Sequence, residues 1–280
     1  MKWQRGDDRY VEDRRGMSLG RGVPVGIGGL LVLVVLSWLT GTDLLSLLGP
    51  ASQPDSGQVV ERQTTPGEDP VKDMVSAVMT DLNETWTRVL GGRYQPTTVV
   101  LFTDQVEAEG CGLAESATGP FYCPGSRKVY IDLGFYRELD QRFGAPGDFA
   151  QAYVLAHEVG HHVQTLLGIE RQVRGAQQSQ RDQANALSVR MELQADCLAG
   201  VWGHAASRPG GRVELETGDV EEGLQAAAAI GDDRLQRMST GRVAPERFTH
   251  GSSEQRVQWF RRGLESGNPD TCDTFGNATE

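Results

Sequence analysis

FAQAYVLAHEVGHHVQ, residues 149–164, is the stretch that decides how the chain is organised. It contains HEVGH (157–161) inside a segment with the apolar pattern of a long helix. Residues four apart lie on one face of a helix, so His157 and His161 can bind the same metal ion. Glu158 then lies beside the position of a metal-bound water. The stretch therefore predicts a metal site carried by a helix, with a carboxylate next to its open position.

The next predicted long helix, Ala184 to Ala206, carries Glu192 and Asp196 four residues apart on one face. Much of the remaining surface of this helix is apolar, so we expect it to be buried. A buried carboxylate is costly unless it is paired or bound to a metal. We predict that Glu192 is the third metal ligand and that Asp196 accepts a hydrogen bond from a ligand histidine. The alternative is a pair of solvent-facing carboxylates on an amphipathic helix.

Two histidines, one carboxylate and an open fourth position are the ligand set of a catalytic zinc ion. Such an ion lowers the pKa of its bound water, and Glu158 can accept the proton as a general base. We therefore predict one catalytic Zn²⁺ and the hydrolysis of a peptide or protein substrate.

The composition is that of an ordinary globular protein, with 38% hydrophobic and 23% charged residues among 280. The net charge is −11, and no long basic patch with interleaved aromatic residues occurs. These features exclude nucleic acid as a predicted partner. The length fits one folded domain preceded by a leader, and the oligomeric state stays open.

The N-terminal part of the chain differs from the rest. Residues 1–22 are polar and basic, and residues 23–40 form an apolar run without a charge that is about the minimum length for a transmembrane helix. The basic flank predicts a single-pass protein of the cell membrane with a cytoplasmic N-terminus and an extracytoplasmic domain. Residues 41–70 have the composition of a flexible linker, and the folded domain is predicted at 71–280. A cleaved signal peptide and a buried core helix are the alternatives for the apolar run.

The domain is predicted to be α+β, mainly helical with a small β-sheet. The metal-site helix is predicted from Phe149 to about Leu167, with Asp148 as its N-cap. Further predicted helices span Val71–Leu90, Gly134–Phe143, Asp219–Met238 and Ser253–Leu264, and predicted strands span Thr97–Phe102 and Lys128–Asp132.

Several polar residues of the domain have two interpretations. Tyr130 and Asp132 belong either to an ordinary core strand or to an exposed edge that a peptide could extend. His162 points away from the ligands and is interpreted as a surface or second-layer residue. Asp232 and Asp233 resemble a pair of calcium or metal ligands, but we place them in the middle of a helix, packed or paired with Arg234 or Arg237.

Four cysteines occur, Cys111, Cys123, Cys197 and Cys272, and no two are spaced as C-x-x-C. This spacing argues against a zinc ribbon or a redox pair. An extracytoplasmic domain permits disulfides, and we predict the pairs Cys111–Cys123 and Cys197–Cys272. The other connectivities and four buried free thiols are the alternatives.

HExxH followed by a helical ExxxD resembles the gluzincin group of zinc metallopeptidases. More narrowly, the chain resembles the bacterial neutral zinc metallopeptidase family, in stretches from about Val71 to Phe275. These stretches are GPFYCP (119–124), VYIDLGFY (129–136), FAQAYVLAHEVGHHVQ (149–164), ELQADCLAGVW (192–202), AAAAIGDDRLQR (226–237) and FTHGSSEQRVQWFRRG (248–263). The resemblance implies a zincin-like metallopeptidase domain at 71–280 behind a membrane anchor. By analogy with the late-chain histidine of gluzincins, it also implies that His250 stabilises the oxyanion; a structural role in its loop is the alternative.

A second hypothesis is a latent or non-enzymatic zinc-binding envelope protein with a chaperone-like or interaction role. Glu158 argues for the enzyme, because a purely structural zinc site has no use for a carboxylate beside an open position. Hydrolysis of a non-peptide amide is a weaker third hypothesis.

Overall fold

The computed structural model describes residues 1–16 and 69–276. The helices of this part are α1 (Pro70–Leu90), α2 (Gly134–Gln141), α3 (Asp148–Leu166), α4 (Ile169–Ser179), α5 (Ala184–Ala206), α6 (Asp219–Ala229), α7 (Asp232–Thr240) and α8 (Ser253–Ser266). The strands are β1 (Lys2–Trp3), β2 (Val11–Asp13), β3 (Thr98–Phe102), β4 (Gln105–Ala108), β5 (Gly112–Glu115), β6 (Phe121–Cys123), β7 (Lys128–Asp132) and β8 (Val213–Glu214). The fold is α+β and mainly helical, as predicted.

The main sheet has four strands in the order β2-β3-β7-β6. β2, β3 and β7 are parallel, and β6 runs antiparallel to β7 at the edge. β7 therefore lies between two neighbours, which confirms the interpretation of Tyr130 and Asp132 as parts of a core strand. β6 and β2 are the edge strands of this sheet, and neither β6 nor the β4–β5 hairpin was predicted from the sequence.

The N-terminal residues are part of this fold, which corrects the prediction of a separate leader for residues 1–16. β2 pairs with β3 in the main sheet, and β1 pairs with β8. Gly6 lies so close to α1 that a Cβ atom there would be 2.0 Å from the carbonyl oxygen of Ser76. Asp13 is fully buried and accepts hydrogen bonds from Arg15. Local composition made this segment look like a leader because it is short and highly charged.

Within the described ranges, no helix is both long and apolar enough to cross a membrane. The run 23–40, predicted as the transmembrane helix, lies outside the described residues, and so does most of the predicted linker at 41–70.

The metal-site helix α3 lies at the centre of the molecule. Its buried residues extend from Phe149 to Gln164, and a helix that is apolar on most sides is expected inside a core. Its N-cap is Gly147 and not Asp148, which is the first helical residue. The Asp148 carboxylate instead accepts hydrogen bonds from the α-amino group of Met1, at 2.9 and 3.1 Å.

Glycines allow α5 and α8 to pack at unusually short distance. A Cβ atom at Gly263 of α8 would lie 1.9 Å from the carbonyl oxygen of Cys197. A Cβ atom at Gly200 of α5 would lie 2.1 Å from the carbonyl oxygen of Phe260. Any side chain at either position would force the two helices apart, so the glycines set the position of α8 beside the metal site.

The prediction of one helix over Asp219–Met238 was wrong, because the helix is interrupted at residues 230–231, between α6 and α7. Gly231 is extended, with φ −70° and ψ 144°, and a Cβ atom there would lie 2.4 Å from the backbone nitrogen of Ser253. Asp232 and Asp233 therefore stand at the start of α7 and not in the middle of a helix. Their carboxylates bind the backbone of residues 249–253.

The two predicted disulfides are present, Cys111–Cys123 and Cys197–Cys272. The first joins the β4–β5 hairpin to the edge strand β6. The second joins α5 to the C-terminal segment at the residue that follows Asp196.

Candidate metal centre

Two helices bring the predicted ligands together. His157 and His161 project from α3 and Glu192 from α5, and their ligand atoms all lie within 4.8 Å of one another. Nε2 of His157 lies 3.1 Å from Oε2 of Glu192, and Nε2 of His161 lies 3.6 Å from Oε1 of the same carboxylate. Ligand atoms on one tetrahedral zinc ion would lie about 3.3 Å apart. The three side chains therefore fit zinc with little rearrangement.

The approach of the two helices depends on Gly160, inside the HEVGH motif. A Cβ atom at this position would lie 3.0 Å from the carbonyl oxygen of Ala195 and 3.1 Å from its Cα. Ala195 follows Glu192 by about one helical turn. Because Gly160 has no side chain, the helix that carries Glu192 can lie directly against the helix that carries both histidines.

The second nitrogen of His157 is bound by Asp196, as predicted. Nδ1 of His157 lies 2.8 Å from Oδ1 of Asp196, which is fully buried. The same carboxylate accepts hydrogen bonds from Arg256, whose Nε lies 2.9 Å from Oδ2 and whose Nη2 lies 2.9 Å from Oδ1. It also accepts one from the hydroxyl of Tyr153. This arrangement places the proton of His157 on Nδ1 and leaves the Nε2 lone pair for a metal.

His161 is oriented by an amide in place of a carboxylate. Its Nδ1 lies 2.9 Å from Oε1 of Gln164. The amide nitrogen of Gln164 donates to the carbonyl oxygen of Met191 at 2.8 Å and to Oε1 of Gln194 at 3.0 Å. Those two bonds determine which end of the Gln164 amide faces His161. Nδ1 of His161 therefore donates, and Nε2 is left for a metal.

The buried charges of the centre stabilise one another. Burial alone would lower the pKa of His157, but Asp196 and Glu192 outweigh it and raise the pKa to about 10. Burial would raise the pKa of Glu192, yet the adjacent histidines hold it well below its ordinary value. Asp196 behaves in the same way, because Arg256 and His157 outweigh burial and lower its pKa. Both carboxylates are therefore ionised at neutral pH, and protons compete with a metal for the histidines.

A cleft of about 690 Å³ opens over the three ligands. Glu158 and His250 both line it, together with Phe121 and Tyr122 of the edge strand β6. The rest of the lining includes the apolar residues Phe135, Phe143, Ile230 and Leu235 and the charged residues Glu138, Arg142, Glu170 and Arg174. The cleft thus joins the ligands, the predicted base and an edge strand in one concave surface, as expected of a ligand-binding site.

His250 reaches the cleft on a loop that Asp232 organises. Oδ2 of Asp232 accepts the backbone N–H groups of Thr249, His250 and Gly251 at 2.7, 2.6 and 3.1 Å. Oδ1 of Asp232 lies 3.2 Å from Nδ1 of His250. The hydrogen bond to Asp232 raises the pKa of His250, and the charge of Glu192 adds to this effect against burial.

Sequence reasoning did not identify Tyr153, Gln164 or Arg256 as parts of the site. For Arg256 a signal was available: it shares one face of α8 with Phe260 and Gly263, and all three are buried. A cation on a buried face needs a charged partner. Of the two interpretations of His162, the surface position is wrong; the ring is buried, with its Nδ1 3.0 Å from the Tyr122 hydroxyl and its Nε2 2.7 Å from the carbonyl oxygen of Gln95.

Comparisons with known proteins agree with this geometry. "Uncharacterized protein YpfJ" from Escherichia coli K12 is 48% identical over 292 aligned positions, which cover 99% of this chain and 100% of that protein. "Uncharacterized protein Mb2605" from Mycobacterium bovis is 45% identical over 216 positions, which cover 74% of this chain and 72% of its own. No solved structure matches significantly. A family model described as "Putative neutral zinc metallopeptidase" matches residues 1–275, and the chain therefore belongs to that family.

Proposed function

We propose that this protein is a zinc-dependent peptidase that hydrolyses peptide bonds in the cleft above His157, His161 and Glu192. The observation that carries the proposal is that a fitting three-ligand zinc set, a neighbouring carboxylate and an edge strand share one cleft. Family membership supports the metal and the reaction class.

The roles of the residues follow from where they lie. A bound zinc ion supplies a Lewis acid that lowers the pKa of a water molecule and polarises the scissile carbonyl. Glu158 accepts the proton of the attacking water and passes it to the leaving amine. Asp232 accepts from Nδ1 of His250 and raises the pKa of the ring, and in the protonated ring Nε2 can donate to the oxygen that becomes negative.

The proposed substrate is an extended peptide that adds to β6. A strand at the edge of a sheet can pair with a peptide backbone, and pockets along it then select side chains. Phe121 and Tyr122 of β6 line the cleft, and Cys123 is fastened to Cys111. The apolar residues of the cleft, Phe135, Phe143, Ile230 and Leu235, support a preference for a peptide with an apolar side chain near the cleaved bond. The disulfides support a location of the domain outside the cytoplasm.

The test is zinc content together with hydrolysis of a broad quenched-peptide library, for the full chain and its Glu158→Gln variant. We expect stoichiometric zinc in both proteins. We expect the variant to cleave at least about 100-fold more slowly than the unmodified protein. Glu138→Gln is a matched control, because Glu138 lines the same cleft and does not belong to the group of possible ligands. Undiminished cleavage by Glu158→Gln would refute the assigned base. Zinc without cleavage by either protein would favour the latent or non-enzymatic alternative.

A further inference from the structure

We infer that Arg256 is a positioning residue of the metal centre: its guanidinium orients Asp196, so that His157 presents Nε2 to the metal. This inference rests on the metal site of the proposed function, but not on the peptidase reaction. Arg256 is the buried cation of α8, and its side chain is 3% exposed.

The guanidinium of Arg256 binds Asp196 in a defined geometry. Two parallel hydrogen bonds join the guanidinium to both oxygens of Asp196, each at 2.9 Å. Nη1 also donates to the carbonyl oxygen of Ile230 at 3.3 Å, and Nη2 to the hydroxyl of Tyr153 at 3.3 Å. A two-pronged contact of this kind defines the plane and the rotation of a carboxylate, which a single ammonium group cannot do. Asp196 in turn determines the orientation of the His157 ring.

The balance of charge also points to Arg256. Three carboxylates, Glu158, Glu192 and Asp196, surround the two histidines; Glu158 and Asp196 are buried and Glu192 is partly buried. A divalent cation compensates two of these negative charges. Arg256 compensates the third, and without it one buried carboxylate would lack a counter-charge, which is strongly unfavourable.

Arg256 also links α3 and α5 to the segment that carries His250. It lies six residues after His250, and the intervening Ser253 is bound to Asp233 through both its backbone nitrogen and its hydroxyl, each at 2.7 Å. The glycine contacts between α5 and α8 bring the guanidinium to Asp196. A substitution of Arg256 is therefore expected to shift His157 and the loop that carries His250.

The experiment compares Arg256→Met, Arg256→Lys and the control Arg261→Met, which removes an exposed arginine from the same helix. Zinc affinity is measured by competition with a chelator, and ligand geometry by the visible spectrum of the Co²⁺-substituted protein. We expect Arg256→Met to lower zinc affinity 10- to 100-fold, as removal of such partners does in other zinc sites. We expect Arg256→Lys to lower it less and to alter the Co²⁺ spectrum, and Arg261→Met to change neither.

Zinc affinity within twofold of the unmodified protein and an unchanged Co²⁺ spectrum in Arg256→Met would overturn the inference. If Arg256→Met does not fold, Arg256→Lys decides, because it keeps the charge and removes the paired hydrogen bonds; an unchanged affinity and spectrum in that variant would overturn the inference equally. Neither readout uses a peptide, so a failure of the proposed peptidase function would leave this result interpretable.

A second observation supports an independent inference: residues 1–16 and residues 69–276 lie in the same compartment. β2 is a strand of the main sheet, so both parts of the chain contribute to one folded unit. Arg15 binds Asp13 on one side and Asp69 on the other, with Nη1 2.6 Å from Oδ2 of Asp69. Strands that share a sheet cannot be separated by a membrane. The arrangement predicted from the basic flank, a cytoplasmic N-terminus with the domain outside, is incompatible with this pairing.

The test places one cysteine at Arg9 and, in a separate variant, one at Arg142, both in the full chain. These side chains are 72% and 65% exposed, and the native cysteines are held in disulfides. A membrane-impermeant maleimide is applied to intact and to permeabilised cells. We expect the two positions to behave alike, labelled in intact cells or labelled only after permeabilisation. Labelling of one position in intact cells and of the other only after permeabilisation would overturn the inference.

Discussion

Gly160 offers the sharpest test of how the metal centre is assembled. In Gly160→Ala the new Cβ would lie 3.0 Å from the carbonyl oxygen of Ala195, 3.1 Å from its Cα and 3.3 Å from its Cβ. These distances are shorter than ordinary van der Waals contact, so α5 must move away from α3 by a few tenths of an ångström. Glu192 lies about one turn from the contact and moves with α5, away from both histidines.

Two opposing effects set the change in stability. Overpacking of a core contact costs about 1–3 kcal/mol, whereas alanine is favoured over glycine inside a helix by about 1 kcal/mol. We expect the free energy of unfolding of the metal-free protein to fall by about 0–2 kcal/mol, the difference of these terms. Zinc binding depends directly on the position of Glu192, and we expect its affinity to fall about tenfold, equivalent to about 1.4 kcal/mol.

Two other glycines calibrate the measurement. Gly175 in α4 has no atom within 4 Å of a new Cβ, so Gly175→Ala should stabilise the protein by about 0.5–1 kcal/mol and leave zinc affinity unchanged. At Gly263 the new Cβ would lie 1.9 Å from a backbone oxygen, so Gly263→Ala should destabilise more than Gly160→Ala. Urea unfolding in the presence of a chelator gives the stabilities, and chelator competition gives the zinc affinities. If Gly160→Ala behaves like Gly175→Ala in both assays, close helix packing does not position Glu192.

Three further predictions concern Glu192, the contact of Asp232 with the loop that carries His250, and the disulfide between Cys197 and Cys272. Glu192→Ala should lose stoichiometric zinc, measured by elemental analysis; zinc at unchanged affinity would reject Glu192 as a ligand. Burial would raise the pKa of Asp232, but its hydrogen bonds to the loop that carries His250, and the charge of that histidine, lower it. The ionised carboxylate therefore adds about 2 kcal/mol to the free energy of unfolding. This stabilisation is present above the unfolded-state pKa of about 3.9 and is lost as pH falls through the lower pKa of the folded state. The difference in unfolding free energy between the unmodified protein and Asp232→Ala should therefore be constant from about pH 5 to 6, where His250 is still protonated, and shrink below about pH 4; a constant difference down to the lowest pH would contradict this. Replacing Cys197 and Cys272 together with alanine should lower the free energy of urea unfolding by about 4 kcal/mol, given their sequence separation of 75; a loss below about 1 kcal/mol would show that the bridge constrains little.

Several features of the site were predictable because they depend on local periodicity. The spacing of His157 and His161 puts both rings on one helical face whatever surrounds the helix. Glu192 and Asp196 repeat that spacing on a helix whose apolar residues required burial. The two disulfides were also predicted, although the compartment argument only permits disulfides and does not determine which cysteines pair.

Other features depend on pieces of chain that meet only in the folded molecule. Arg256 is 60 residues from Asp196 in sequence, and no local pattern states that the two will pair. The edge strand β6 is too short to show a period, and its role follows from its place beside β7 at the cleft. At the interruption between α6 and α7, the backbone of Ser253 lies so close to Gly231 that no side chain fits there.

The sequence by itself determined the two long helices, the helical faces on which His157, His161 and Glu192 lie, and the α+β class, because backbone geometry converts residue spacing directly into a shared face. Only the tertiary structure decided that the charged N-terminal residues join the main sheet, that β6 borders the cleft and that Arg256 reaches Asp196. These contacts join residues far apart in the chain, and the packing of the whole core selects them, not the propensity of any one segment.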